Sequence, residues 1–134
     1  MANPNIVNVS TINGSITYQA LTNTNDNALV SNAASSGTIV KVNNIFVSNV
    51  NGVSAATVSL ALRSAANAVT SGTLATASSG TAYRMVYQIS VPPNTTLMLL
   101  DKAGAIYLTE NTSLSIQAGT ASYLEVVASY ETIS

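Results

Sequence analysis

Apolar residues recur at every second position in this chain, and that period is what most restricts its fold. A helix buries a stripe at 3.6-residue spacing, whereas a strand buries one face at a spacing of two. From Tyr83 to Val91 the alternation is unbroken. Tyr83, Met85, Tyr87, Ile89 and Val91 share one face, opposite Arg84, Val86, Gln88 and Ser90. Pro92-Pro93-Asn94 ends the run, because proline cannot donate to a strand ladder. From Tyr123 to Ile133 the pattern repeats, with Leu124, Val126, Ala128 and Tyr130 opposite Glu125, Val127, Ser129 and Glu131. Thr57 to Leu62 places Val58, Leu60 and Leu62 inward.

Thr38 to Val50 changes phase partway. Val40 and Val42 set one phase, Ile45 and Val47 the other, and Asn43-Asn44 sits at the shift. One extra residue there is a β-bulge, which returns the apolar side chains to the inward face after the slip. Asn51-Gly52 follows as a turn signal. Further strands are predicted over Asn5 to Ile12, Ser15 to Leu21, Ala28 to Ser31, Thr96 to Leu100, Ala105 to Leu108 and Ser113 to Ala118. Turn residues separate them at Asn13-Gly14, Ser36-Gly37, Ala103-Gly104 and Gly119. Short strands at this spacing predict an all-β fold, an antiparallel β-sandwich of jelly-roll type. No linker divides the chain, so residues 1–134 form a single domain. The predicted core is Val42, Ile45, Val58, Leu60, Met85, Ile89, Leu97, Leu114, Ile116, Leu124 and Val126.

Residues 64–82, Ser64 to Ala82, break the pattern. Small residues dominate, and only Val69 and Leu74 are large enough to anchor the segment. A loop this long in a compact domain is usually functional or mobile. Two readings are open: a flexible surface loop, or a contact arm ordered by a partner.

Charge then restricts function. Only 7% of the residues are charged, against about 25% in a typical soluble protein. Four scattered cations, Lys41, Arg63, Arg84 and Lys102, cannot form a basic stripe for nucleic acid. No apolar run approaches the length of a membrane-spanning helix, and residues 1–5 lack the features of a signal peptide. Synthesis in a cytoplasm is therefore expected. A net charge of −1 leaves little repulsion between copies, which favours self-association.

Catalytic chemistry has few places to start. The chain contains no His and no Cys, which removes the commonest general base, the commonest transition-metal ligands and the usual nucleophile pairs. A Ser–Lys dyad would need a desolvated Lys41 or Lys102. Lys41 lies opposite Val40 and Val42, and Lys102 sits at a predicted hairpin tip. Asp101, Glu110, Glu125 and Glu131 could supply a glycosidase pair, but no Trp is present to build a sugar platform. Asn23-Thr24-Asn25-Asp26-Asn27 carries one carboxylate where tight calcium loops carry several, and Asx-turns account for it. No enzyme, cofactor or metal site is expected.

Tyr18, Tyr83, Tyr87, Tyr107, Tyr123 and Tyr130 all fall in predicted strands. Tyrosine is favoured in strands and at interfaces alike. The candidate interface anchors are Tyr83, Tyr87, Tyr107, Tyr123 and Tyr130, with Arg63 and Arg84 as polar partners.

The stretches Ile89-Ser90-Val91-Pro92-Pro93-Asn94-Thr95-Thr96-Leu97, Leu100-Asp101-Lys102 and Ala105 to Leu114, with Leu124 to Glu131, form a recognisable pattern of strands and turns. Ile6-Val7-Asn8-Val9 and Val40-Lys41-Val42-Asn43 fit it too. The pattern resembles small virion proteins of tailed bacteriophages, of marine and cyanobacterial type, and among them capsid decoration (cement) proteins. That resemblance implies a β-sandwich that trimerises or lies across capsomer junctions. Its partners would be the major capsid protein or other virion subunits, and its location the virion. A tail, neck or fibre component is the alternative, and a receptor- or carbohydrate-binding sandwich module is a third reading. The resemblance carries no motif from which functional residues can be transferred.

Overall fold

The computed structural model describes residues 6–134. Nine strands build it: β1 (Ile12–Leu21), β2 (Asn27–Asn32), β3 (Ile39–Asn49), β4 (Ala56–Arg63), β5 (Ala82–Val91), β6 (Thr96–Leu100), β7 (Ile106–Leu108), β8 (Thr112–Ala118) and β9 (Leu124–Ile133). A single 3-10 turn over Lys102–Gly104 joins β6 to β7, and Asp101 caps it by accepting from the Gly104 amide at 2.9 Å. All strand pairs are antiparallel. They form two sheets packed face to face as a β-sandwich. The first sheet runs β1-β9-β3-β6, with β7 also paired to β3; the second runs β2-β8-β4-β5.

The core lies between the sheets, where Leu21, Leu29, Val42, Ile45, Val47, Val58, Leu60, Leu114, Ile116 and Leu124 are all buried. The expected bulge is present. Val42 pairs with Tyr130 and Asn44 with Ser129, so Asn43 is the extra residue. The slip keeps both Val42 and Ile45 fully buried, and the Asn43 side chain donates to Glu131 at 3.3 Å.

Three expectations are corrected. Asn5 lies outside the described residues, and residues 6–11 contain no strand. Asn13-Gly14 is not a turn: both residues sit inside β1, paired with Thr132 and Glu131 of β9. An Asn-Gly dipeptide turns the chain only where no partner strand claims its backbone.

The third correction concerns β5. Met85 and Ile89, predicted for the core, are 40% and 45% exposed. β5 is an edge strand, paired only with β4. Its register slips twice, between the Val58/Ile89 and Leu60/Val86 pairs and again before Ala61/Arg84. Each slip adds a residue to β5, so the apolar alternation does not stay on one face. Val86, placed by its sequence phase on the outer face, packs against the core, and Val91 at the strand's end is fully buried in it.

The segment between β4 and β5 is ordered by its own sandwich. It leaves Arg63, spans the exposed edge of β2 and reaches β1. The Ala28 amide donates to the Ala75 carbonyl and the Ala77 amide to the Asp26 carbonyl, both at 2.8 Å. The Gly72 amide reaches the Tyr18 carbonyl at 2.7 Å. Asn67 ties the two limbs together: its side-chain oxygen accepts from the Ser78 and Ser79 amides, while its nitrogen donates to the Ser79 carbonyl and to Ser113 Oγ. Leu74 packs against the core, as an anchor should. The segment therefore covers an edge that would otherwise be open to strand addition.

Candidate functional site

A surface that binds another protein needs apolar area that its own fold leaves uncovered, with a polar rim. The outer face of the first sheet provides one. Strand pairing sets Tyr18 beside Val127, Val127 beside Phe46, and Phe46 beside Met98. One apolar row therefore crosses four strands, spanning about 14 Å at the usual strand spacing. Tyr18 is 50% exposed, Val127 42% and Met98 48%; Phe46 is half-buried. Ile16, also exposed, widens the row along β1.

Apart from Ala20 and Ile16 on β1, the neighbouring rows are polar. On one side stand Ala20, Glu125, Ser48 and Thr96, with Ser48 and Thr96 hydrogen-bonded through their hydroxyls at 2.9 Å. On the other stand Ser129 and Asn44, then Glu131 and Lys41. Lys41 lies 6.0 Å from the centroid of the Tyr107 ring. The result is an apolar centre bounded by charges of both signs.

The reason lies in β1. Its inward positions Thr17 and Gln19 are buried together with Leu21, and its outward ones are Ile16 and Tyr18. Gln19 accounts for its polarity: its side-chain amide donates to the Ala28 carbonyl at 2.9 Å and bridges the two sheets where β1 and β2 lie side by side. Hydrogen-bonding groups are used inside this end of the sandwich, and apolar ones are left outside.

The sequence-predicted anchors divide into three groups. Tyr83, Tyr87 and Tyr107 are exposed. Tyr123 and Tyr130 are half-buried and pack against the core; Tyr130 also lines a cleft of about 350 Å³ with Thr17, Val30 and Val69. Arg63 is buried on the outer side of its sheet beneath the covering segment, holding Asp26 at 2.9 Å, Ser115 Oγ at 3.2 Å and the Ser79 and Gly80 carbonyls. It fixes the covering segment. Arg84 remains at the surface, 5.9 Å from the Tyr87 ring centroid.

Tyr107 thus stands beside Lys41 in the polar rim, whereas Tyr83 and Tyr87 lie on β5 in the other sheet. Sequence reasoning missed Tyr18, Phe46, Met98 and Val127 as a group. The available signal was the polar pair Thr17 and Gln19 alternating with Ile16 and Tyr18, which marks a strand whose apolar face need not be the inner one.

Comparison with known protein families finds none whose model matches the chain, and comparison with curated proteins finds no match either.

Proposed function

We propose that the chain is a virion structural subunit, most concretely a capsid decoration (cement) protein that bridges neighbouring capsid subunits by packing rather than by chemistry. The observation that carries this reading is the apolar row Tyr18, Val127, Phe46 and Met98 on the outer face of the first sheet. A row with a polar rim is the usual anatomy of a protein–protein contact. The low charge density suits dense packing among identical copies, because it leaves little repulsion to overcome.

The strand order β1-β9-β3-β6 over β2-β8-β4-β5 supports a jelly roll in which β7 extends the β6 edge. Jelly rolls carry viral capsid domains and lectin domains alike. Fold alone does not select a function; the uncovered row is what favours assembly. In this reading the protein is a homo-oligomer, a trimer, and each copy contributes weak contacts to the major capsid protein that become strong together through multivalency. A specific contact of this kind buries at least about 1,000 Å² in total.

Co-sedimentation with assembled capsids lacking the protein tests the proposal. Wild-type protein is expected to pellet with the particles. Val127→Asp places a charge in the centre of the row at a position that is already 42% exposed, so the fold should persist. Its affinity is expected to fall at least about tenfold, since desolvating an unpaired charge costs more than 1.4 kcal/mol. Unchanged binding removes the row from the mechanism. Wild-type protein that ignores capsids but pellets with isolated tails identifies a tail, neck or fibre component instead.

A further inference from the structure

The second sheet carries a different kind of site. A cleft of about 300 Å³ lies on its outer face beside the two register slips in β5, lined by Thr24, Thr57, Arg84, Tyr87, Gln88 and Gln117. From these residues the geometry points to a binding site for a carboxylate-bearing sugar unit, of the uronic or sialic acid type.

Three features specify that ligand. The first is charge. Asp26 Oδ2 accepts from Arg63 at 2.9 Å and stands 3.7 Å from Arg84, so two cations share one carboxylate. That carboxylate is committed to Arg63, and no acidic residue lines the cleft. Arg84 is thus left with guanidinium donors to spare and a third of its side chain exposed. Arginine suits carboxylates because its planar fork can donate two parallel bonds.

The second is an aromatic wall. The Arg84 guanidinium and the Tyr87 ring stand 5.9 Å apart, and Tyr87 is 60% exposed. A pyranose ring has an apolar face that can lie on such a ring while its acidic group meets the arginine. The third is a set of planar amides and a hydroxyl at the remaining walls. Gln117 commits its nitrogen to the Thr24 carbonyl at 3.0 Å, which leaves its oxygen to accept from a sugar hydroxyl. Gln88 and Thr57 add groups that both donate and accept.

The cleft is also held in place against a conformational cost. Gln88 has φ +51°, a left-handed conformation that non-glycine residues in a strand avoid. Its amide donates to Ser59 Oγ at 2.9 Å, a bond that fixes the slip. A strained residue kept in a strand points to a functional constraint. The volume is at the lower end of small-ligand sites, which fits one sugar unit at the end or along the edge of a glycan.

This site is separate from the apolar row, which lies in the other sheet. Its failure and the failure of the assembly proposal are therefore distinguishable. The test is a titration of the full chain, followed by NMR of backbone amides around Gln88, with methyl glucuronide, the methyl glycoside of N-acetylneuraminic acid, methyl glucoside and acetate as probes. At least one acidic glycoside is expected to shift Tyr87, Gln88 and Gln117 together and to bind at least about tenfold more tightly than methyl glucoside or acetate. Arg84→Gln is expected to abolish that preference, and Tyr87→Ala to weaken the acidic glycoside without changing acetate. Thermal melting checks that each variant is folded; Arg84→Met, which also removes the charge, stands in should Arg84→Gln fail to fold. Equal binding of methyl glucoside, binding of acetate as tight as that of the acidic sugars, an unchanged preference in the arginine variant, or no shifts with any probe overturns the assignment.

Discussion

Replacing Leu124 with alanine is expected to destabilise the protein by about 2–5 kcal/mol, whereas the same truncation at Ile89 should cost about 1 kcal/mol or less. Both residues lie in strands with clean apolar alternation, so their sequence contexts are nearly equivalent. Their surroundings are not. Leu124 is 1% exposed and packed among core residues from both sheets. Truncation there removes three buried carbons and leaves a cavity that close-packed neighbours cannot fill. Ile89 is 45% exposed on the edge strand, where solvent or neighbouring side chains can occupy the vacated space. Urea denaturation of the two variants beside wild type measures the contrast. Equal losses would mean that β5 is covered from a direction the sandwich does not show.

The same contrast explains what was legible beforehand. β3 lies inside its sheet, between β9 and the β6–β7 edge, and inside the sandwich. Its inward positions must be apolar on both sides of the bulge, and Val40, Val42, Ile45 and Val47 say so directly. The two-sheet architecture and most strand boundaries follow from the same logic. On edge strands the rule loosens. In β5 an apolar residue can face the core, the rim or solvent, and two slips move the register without any glycine to mark them. In β1 the polar Gln19 is inside because a partner carbonyl, that of Ala28, awaits it there. That partner belongs to another strand, beyond the reach of a local pattern.

Both candidate sites were hidden for a related reason. The row Tyr18, Val127, Phe46 and Met98 joins strands β1, β9, β3 and β6, which are remote in sequence and adjacent only after the sheet forms. The cleft of Arg84, Tyr87, Gln88 and Gln117 lies beside slips whose position is set by pairing with β4. The exposed tyrosines Tyr83, Tyr87 and Tyr107 could be picked out by residue type. Arg63 could not be separated from Arg84 in the sequence, although one is buried structure and the other surface.

Arg63 is where loss of one side chain should reach furthest. Its Nε donates to Ser115, one terminal nitrogen holds the Ser79 and Gly80 carbonyls, and the other pairs with Asp26. The Arg63 and Asp26 side chains are only 11% and 13% exposed. Replacing Arg63 with methionine keeps much of the volume but leaves Asp26 with a single cation at 3.7 Å and with Oδ1 already lacking a hydrogen-bond partner. Removing one partner of a buried pair costs about 3–5 kcal/mol, mainly because the other charge remains. For a chain of this size the melting temperature should fall by roughly 10–20 °C. The loss should begin at the segment between β4 and β5, since two of its carbonyls lose their donor. Hydrogen exchange of the Ala28 and Ala77 amides, which bond across that segment's seam with β2, should therefore accelerate more than exchange in β3 or β9. A second substitution, Asp26→Asn, removes the stranded charge and should recover part of the stability lost in the Arg63→Met protein. If the double variant is instead less stable than the single one, the cost lies in the contacts of Asp26 itself and not in an unpaired charge. If Ala28 and Ala77 exchange no faster than the core amides, Arg63 is not what holds the covering segment in place.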